Sequence, residues 1–527
     1  MDVEQDEPKA ERKRGGTRRW VIAASAAVAA VVVAGGVVLA RSGTTSIAAP
    51  GTCHTTAHGT APSAAPATSD RAPAGTAPAA DFDGDGHPDL AMGALGDVEN
   101  ADGGGSIAVA YGSGDGTGLA RCQHLTQNDA AIPGKADYEA YFGSWVAGRD
   151  FDGDGYTDLA TAVYDDEPSV VIMWGSPDGL KSAARVPGTD GSHVSWAPDP
   201  ILEERLVAGD FDGDGHADLV FGLGSDKGLL KGPFTRDGSP ASTGPVSAPR
   251  RPAQHIKSAN YQDLVAGDLD GDGADELIAF HHDEPLGTAT YEERRPVSYF
   301  HARHGGLVQP DDIDLPDAAA GAVGDVDGDG LADLVLSPRR GKVSDGAVSV
   351  VYGSRTGPGN GKPSVTIDRG TPGVPGAVVK DPGGEGAAYT SLDTGDVNGD
   401  GYADVVAGFS RNEAHAKTVP EQVMLLLGGP DGLTGEGAQV VDAGDIGGDK
   451  RIRIAFGLSV RLVDMNGDHR ADLTVTAPGD DEVSSSAWVL PGTDHGLSTD
   501  GGTRLDGDSF ESDGKRGLYM GGGGIAH

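Results

Sequence analysis

DFDGDGHPDL (81–90) is one of seven versions of the same ten residues. It returns as DFDGDGYTDL (150–159), DFDGDGHADL (210–219), DLDGDGADEL (268–277), DVDGDGLADL (325–334), DVNGDGYADV (396–405) and DMNGDHRADL (464–473). The copies recur at intervals of 57 to 71 residues, a spacing that chance does not produce seven times. Every copy but the first is preceded by a short apolar stretch, as in SWVAG, RLVAG and DLVAG, and each is followed by another, as in DLVFG, DLVLS and DVVAG. A third apolar run ends in Gly and often Gly-Leu: SIAVAYGSGDGTGL (106–119), SVVIMWGSPDGL (169–180), QVMLLLGGPDGL (422–433) and SAWVLPGTDHGL (486–497). AVSVVYGSRTGPG (347–359) and VSYFHARHGGL (297–307) are looser, and GLLKGPFTRDG (228–238) matches least. A weaker fourth run follows, as in SVTIDRG (364–370). Valine content, alternation and the lack of sustained helical periodicity after Asp81 favour strands. Four-stranded units at this period are blades of a β-propeller. The fold class expected is therefore all-β, a seven-bladed propeller over 81–527. The first unit lacks a strand before its loop, so the tail KRGLYMGGGGIAH (515–527) is expected to complete the first blade and close the ring.

Within each loop the oxygen-bearing side chains fall at positions 1, 3, 5 and 9. They are Asp81, Asp83, Asp85 and Asp89; Asp150, Asp152, Asp154 and Asp158; Asp210, Asp212, Asp214 and Asp218; Asp268, Asp270, Asp272 and Glu276; Asp325, Asp327, Asp329 and Asp333; Asp396, Asn398, Asp400 and Asp404; Asp464, Asn466, Asp468 and Asp472. Glycine at positions 4 and 6 permits a tight turn that folds these side chains around one point, with a backbone carbonyl offered at position 7. The result is an all-oxygen cage suited to Ca²⁺, up to seven ions in all. No Cys or His stands at those positions, so zinc or copper fits poorly. Like charges this close repel, and a dication reverses the sign and ties the flanking strands. The bland alternative is an Asp/Gly turn held by side-chain-to-backbone bonds alone. The seventh loop, with His469 in place of glycine and Arg470 next to it, is expected to be the weakest site. The loops are not EF-hands, which need Glu at position 12 and flanking helices.

The 527 residues include 85 glycines, 2 cysteines and only 5% aromatics, and the formal net charge is −40. Such a charge disfavours nucleic acid, whose phosphates need a basic partner. Two cysteines exclude a disulfide-built scaffold. Residues 1–19 are basic and polar, and 20–40 are 21 residues without a charge, rich in Ala and Val. They read as a transmembrane signal-anchor helix, or a signal peptide cleaved after Val38-Leu39-Ala40, with everything after Arg41 exported. The expected location is the cell membrane, single-pass with the C-terminal domain outside, or secreted if cleaved. Residues 41–80, rich in Ala, Thr, Pro and Ser, read as a linker unable to fold. Cys53, His54 and His58 are taken as incidental to it, and Cys53 is not expected to be bridged to Cys122.

The acidic stretches, the Tyr/Trp-Gly-Ser motifs, and Phe-Gly before the loop in YFGSWVAGRD (141–150) and AFGLSVRLVD (455–464) resemble the FG-GAP (integrin α-like) repeat family. The resemblance covers 81 to about 500. It implies a seven-bladed propeller with Ca²⁺ in the blade hairpins and, more weakly, adhesion through one face. The thigh and calf domains of integrins are absent, and composition and anchor look like those of an exported bacterial surface protein. The function expected is an extracellular binding or adhesion module for a glycan, wall polymer or protein, presented on loops 181–202 with Trp196, 236–262 and 370–391. Trp174 and Tyr111 are expected in the core. An enzyme is not expected: there is no Gly-x-Ser-x-Gly, no His-Glu-x-x-His and no recurring acid/base pair outside the loops. His281, His282, Asp283 and Glu284 read as an exposed turn. The alternatives are a propeller-type hydrolase or lyase acting on a polysaccharide, and a structural envelope protein or the sensing arm of a membrane system.

Overall fold

Positions 2 and 10 of every loop are apolar, and all fourteen side chains are buried, from Phe82 and Leu90 in the first loop to Met465 and Leu473 in the last. That alternation pins each acidic loop between two core plugs and fixes the register of the strands on either side. The computed structural model describes residues 46–59, 80–95, 104–113, 119, 121–136, 140–164, 168–187, 206–223, 227–247, 256–285, 296–303, 305–338, 347–376, 388–411, 422–448, 456–477, 485–510 and 519–525. The 20–40 segment and Trp196 lie outside them. Among the described residues no helix is long and apolar enough to cross a membrane.

Seven antiparallel sheets form the blades of a β-propeller. Blade two shows the pattern: Val146–Arg149, the acidic loop, Asp158–Tyr164, Pro168–Trp174 and Ser182–Arg185. Blades three to six repeat it, beginning at Leu206–Gly209, Ile256–Gly267, Ala318–Gly324 and Ala388–Gly395. Seven apolar clusters each draw on two neighbouring blades. Phe82, Val109 and Tyr111 meet Leu159, Val171 and Met173 between blades one and two, and Leu90, Met92 and Ala108 meet Val463, Met465 and Val489 between blades one and seven. The last cluster means the ring is closed.

Closure is built twice. On the inner side Tyr519–Ile525 pairs antiparallel with Leu90–Leu95, so the tail supplies the strand that the first unit lacks. On the outer side residues 46–59 strap across the same seam, which corrects the expectation of an unfolded linker there. Ile47 N–H donates to Lys181 O in blade two (2.8 Å). Gly51–Thr52 pairs with Arg121–Leu125 at the rim of blade one, and Thr56–His58 with Gly502–Asp506 at the rim of blade seven. Cys53 is bridged to Cys122, also against expectation. Composition argued for coil because it measures side-chain burial. An edge strand is held by backbone hydrogen bonds and here by a covalent bond, and neither is visible in composition.

The bridge closes a loop of 69 residues, for which the chain-entropy estimate is about 4 kcal/mol. Cys53→Ser is expected to lose up to that much in denaturant unfolding under non-reducing conditions. An unfolding curve that superimposes on the parent would show that the bridge adds nothing to the backbone pairing of the strap.

A candidate metal centre in each blade

Position 1 makes the turn. Asp81 Oδ1 accepts the N–H of Gly84 (2.7 Å) and Asp85 (3.2 Å), and Oδ2 accepts that of Gly86 (3.0 Å). Asp83 and Asp85 each accept from the residue two further on, at 3.2 and 2.9 Å. Asp325, Asp396 and Asp464 use their oxygens in the same way. Positions 4 and 6 need a left-handed backbone, φ being +69° at Gly84 and +86° at Gly86. His469 adopts +66° at position 6 of the seventh loop, so its strain is as expected. Arg470 does not simply crowd its own loop, because its Nε donates to Asn398 O in loop six (3.3 Å).

Position 9 is buried and stitches the blade. Asp89 Oδ2 accepts from Phe82 N–H (2.6 Å) and Oδ1 from Gly112 N–H (2.9 Å), at the end of the third strand. Gly175, Gly232, Gly353, Gly428 and Gly492 donate equivalently to Asp158, Asp218, Asp333, Asp404 and Asp472, all at 2.8–3.0 Å. Burial, opposed by these bonds, pushes Asp89 and Asp158 up to about 8 and Asp218 and Asp333 to about 7. Asp404 and Asp472 are raised well above the carboxylate range for the same reason. An acid so placed needs either a proton or a cation.

The loop oxygens converge. One oxygen each from Asp81, Asp83 and Asp85 lies within 4.8 Å of the others, and the same holds for Asp150, Asp152 and Asp158, for Asp210, Asp212 and Asp218, and for Asp268, Asp270 and Asp272. All-carboxylate sets of this kind fit a hard dication that takes six to eight oxygens.

A feature not foreseen from the sequence is a basic side chain provided for position 3. Asp83 pairs with Arg121, Asp152 with Arg236, Asp212 with Lys231 (2.8 Å), Asp270 with His301 (3.7 Å) and Asp327 with Lys362 (3.0 Å). Three of these cations also lie over the aromatic ring that ends the third strand: Arg121 on Tyr111, Arg236 on Trp174 and Lys362 on Tyr352, at 5.0, 5.3 and 4.3 Å. Lys231 and His301 stand at that ring position themselves, by strand register. In blades six and seven the same position is Leu427 and Pro491, and there position 3 is the neutral Asn398 or Asn466. Charge at position 3 and a means of balancing it thus go together across all seven repeats. Lys362→Met is expected to cost about 0.5–1 kcal/mol without metal and to tighten the divalent-ion affinity of that loop, read by denaturant melts in chelator and by calorimetry. A variant that binds metal more weakly would show that Lys362 orients Asp327 instead of competing for it.

The loops also tie blade to blade. Thr157 N–H donates to Asp81 O (2.8 Å), Asp275 to Asp210 O (2.7 Å), Ala403 to Asp325 O (2.9 Å) and Ala471 to Asp396 O (2.7 Å). An ion that stiffens one loop therefore bears on its neighbour.

Trp174 and Tyr111 are core, as expected. His281 is not in an exposed turn. It is 4% exposed within Glu276–Pro285, and its Nε2 meets Ser298 Oγ at 2.9 Å. The strand runs past the length typical of its counterparts and takes the polar run with it.

A family profile described as FG-GAP-like repeat matches residues 150–221, and one described as FG-GAP repeat matches 318–351, 388–417 and 456–490. No curated protein matches the chain. Among solved structures it is similar to a protein from Lactobacillus plantarum, at 12% identity and a TM-score of 0.43, covering 83% of this chain and 98% of that one. It is also similar to the Tc holotoxin pore of Photorhabdus luminescens, at 16% identity and a TM-score of 0.32, covering 83% of this chain and 20% of that one.

Proposed function

We propose that this FG-GAP repeat protein is a calcium-loaded propeller that acts outside the cytoplasm as a binding or adhesion module for a glycan, wall polymer or protein, tethered through residues 20–40. The observation that carries the reading is the convergence of carboxylate oxygens in one loop after another of a closed ring, joined in the second and third loops by the buried, high-pKa Asp158 and Asp218. The all-oxygen donor sets favour Ca²⁺ over zinc or copper, and over Mg²⁺, which keeps its waters. Calcium at extracellular concentrations fills such sites, and its charge offsets the carboxylate repulsion. The Cys53–Cys122 bridge supports an oxidising compartment. Carboxylates at positions 1, 3, 5 and 9 hold the ion, and the ion rigidifies the loops that join neighbouring blades. That rigidity preorganises the surface loops for a ligand.

The test is an array of glycans, wall fragments and surface proteins, probed with the full chain in detergent, in calcium and in chelator. Retention of one ligand class in calcium alone is expected. Retention indifferent to chelator would sink the calcium role. Turnover of a polymer would replace this reading with the hydrolase or lyase one.

A further inference from the structure

Blade four departs from the other six at three linked positions. Position 9 is Glu276 where the rest have Asp. The end of the third strand is His301. The next residue is Ala302, where the others have the glycine whose N–H holds the position 9 carboxylate. The third strand, Val297–Arg303, runs on through Ala302 to pair with Gly306–Val308. Glu276 keeps one stitch, Oε2 accepting from Leu269 N–H (2.9 Å), while Oε1 reaches His301 Nδ1 at 2.9 Å. His301 Nδ1 is also 3.7 Å from Asp270 Oδ2. One ligand atom from each of Asp270, Glu276 and His301 lies within 4.8 Å of the other two. The three side chains are 13%, 0% and 17% exposed, so the cluster is enclosed on most sides.

We propose that blade four holds a divalent transition-metal ion of the Zn²⁺ class between Asp270, Glu276 and His301. The side chains serving the other position 3 carboxylates are Lys or Arg, which offer donors only and must move aside for a metal. An imidazole differs: its ring nitrogen is itself a metal ligand, already in place beside both carboxylates. Nitrogen with two carboxylate oxygens is a recurrent zinc donor set, whereas Ca²⁺ prefers oxygen throughout. Bonds of about 2.0–2.2 Å to a tetrahedral ion set ligand atoms about 3.3–3.5 Å apart, between the two nitrogen–oxygen separations found here. The longer Glu276 side chain is what lets a position 9 carboxylate reach the third strand after the glycine N–H has been given up. The inference amends the calcium reading for blade four alone, where Asp270 and Glu276 serve this ion in place of Ca²⁺, and it does not rest on calcium in the other loops.

The test uses tag-free full-length protein, stripped with chelator, returned to millimolar Ca²⁺ and titrated with Co²⁺ as a spectroscopic stand-in for Zn²⁺. The expected result is one Co²⁺ per chain with a visible absorption band, bleached by Zn²⁺. The band should vanish in His301→Gln and in Asp270→Asn, of which the second leaves the His301–Glu276 contact intact should the first disturb the fold. Circular dichroism confirms that each variant is folded. No uptake of Co²⁺ or Zn²⁺ would overturn the proposal and leave His301 a counter-ion. Uptake undiminished in His301→Gln would overturn it as well, placing the metal elsewhere among the chain's 15 histidines. The same titration without calcium reads the same band, so failure of calcium binding in the other loops would be seen separately.

Discussion

At pH 8 the protein in chelator melts roughly 10 °C below the protein in calcium, and at pH 5 most of that gap is gone. The size follows from several sites acting together. Each site at a hundredfold excess of ion over its Kd contributes about 2.7 kcal/mol, and for a chain this long each kcal/mol moves the melting point by about 1 °C. The pH dependence follows from position 9. Asp89 and Asp158 titrate at about 8 in the metal-free fold, and Asp218 and Asp333 at about 7, because they are buried. Unfolded, each would titrate near 3.9. Between about pH 4 and 8 the folded state therefore holds protons that the unfolded state has released. With more protons on the native side, stability falls as pH rises, and the loss is complete only above the folded pKa values. Calcium takes the place of those protons, so its affinity climbs over the same window. Calorimetric melts from pH 5 to 9 should slope downward in chelator and run nearly flat in calcium. A chelated protein whose melting point is flat or rises from pH 5 to 8 would contradict the assignment of a charge deficit to these carboxylates.

The blades were legible because each repeat states its own register. Apolar residues at positions 2 and 10 flank acids at 1, 3, 5 and 9, and the structure buries the first set and converges members of the second. The missing strand before Asp81 made the role of the tail legible too. The position 3 cations were not legible, for a physical reason. Lys231 follows Asp212 by 19 residues, Lys362 follows Asp327 by 35, Arg121 follows Asp83 by 38, and Arg236 follows Asp152 by 84. A long side chain reaches a carboxylate from the third strand, the fourth, or the next blade, so the pairing keeps place in space and no fixed place in sequence. His301 hid for a related reason. The third-strand signature of blade four is loose because the strand continues past the usual glycine, and the looseness is itself what brings the imidazole beside Glu276. The pairing that could have been noticed is internal: Asn at position 3 occurs in the two repeats whose third strand ends in Leu427 or Pro491.

Ending the chain before Tyr519 should cost more than stripping the metals. Tyr519–Ile525 pairs with Leu90–Leu95 through Met92↔Ile525, Ala94↔Met520 and Leu95↔Tyr519. Without it, the first blade loses its innermost strand and Leu90–Leu95 presents an open edge inside the ring. Each backbone hydrogen bond lost counts for about 1 kcal/mol, and each buried group left unpaired for about 1–3 kcal/mol. A ring amplifies the loss, because the cluster joining Leu90 and Met92 to Val463 and Met465 is the seam between first and last blades. The outer strap spans that seam as well, but at the rim and through only Gly51–Thr52, Thr56–His58 and the Cys53–Cys122 bridge. It therefore holds the truncated ring together loosely. The expected outcome is a melting point lowered by well over the roughly 10 °C of metal removal, with exposed apolar surface read by dye binding. A synthetic peptide of residues 515–527, added in excess, should restore much of the loss, since an extended segment can re-enter a vacant sheet edge. Rescue by that peptide, and none by a scrambled one, ties the defect to strand pairing. A truncated protein that melts with the parent would mean that the strap, not the tail, closes the wheel.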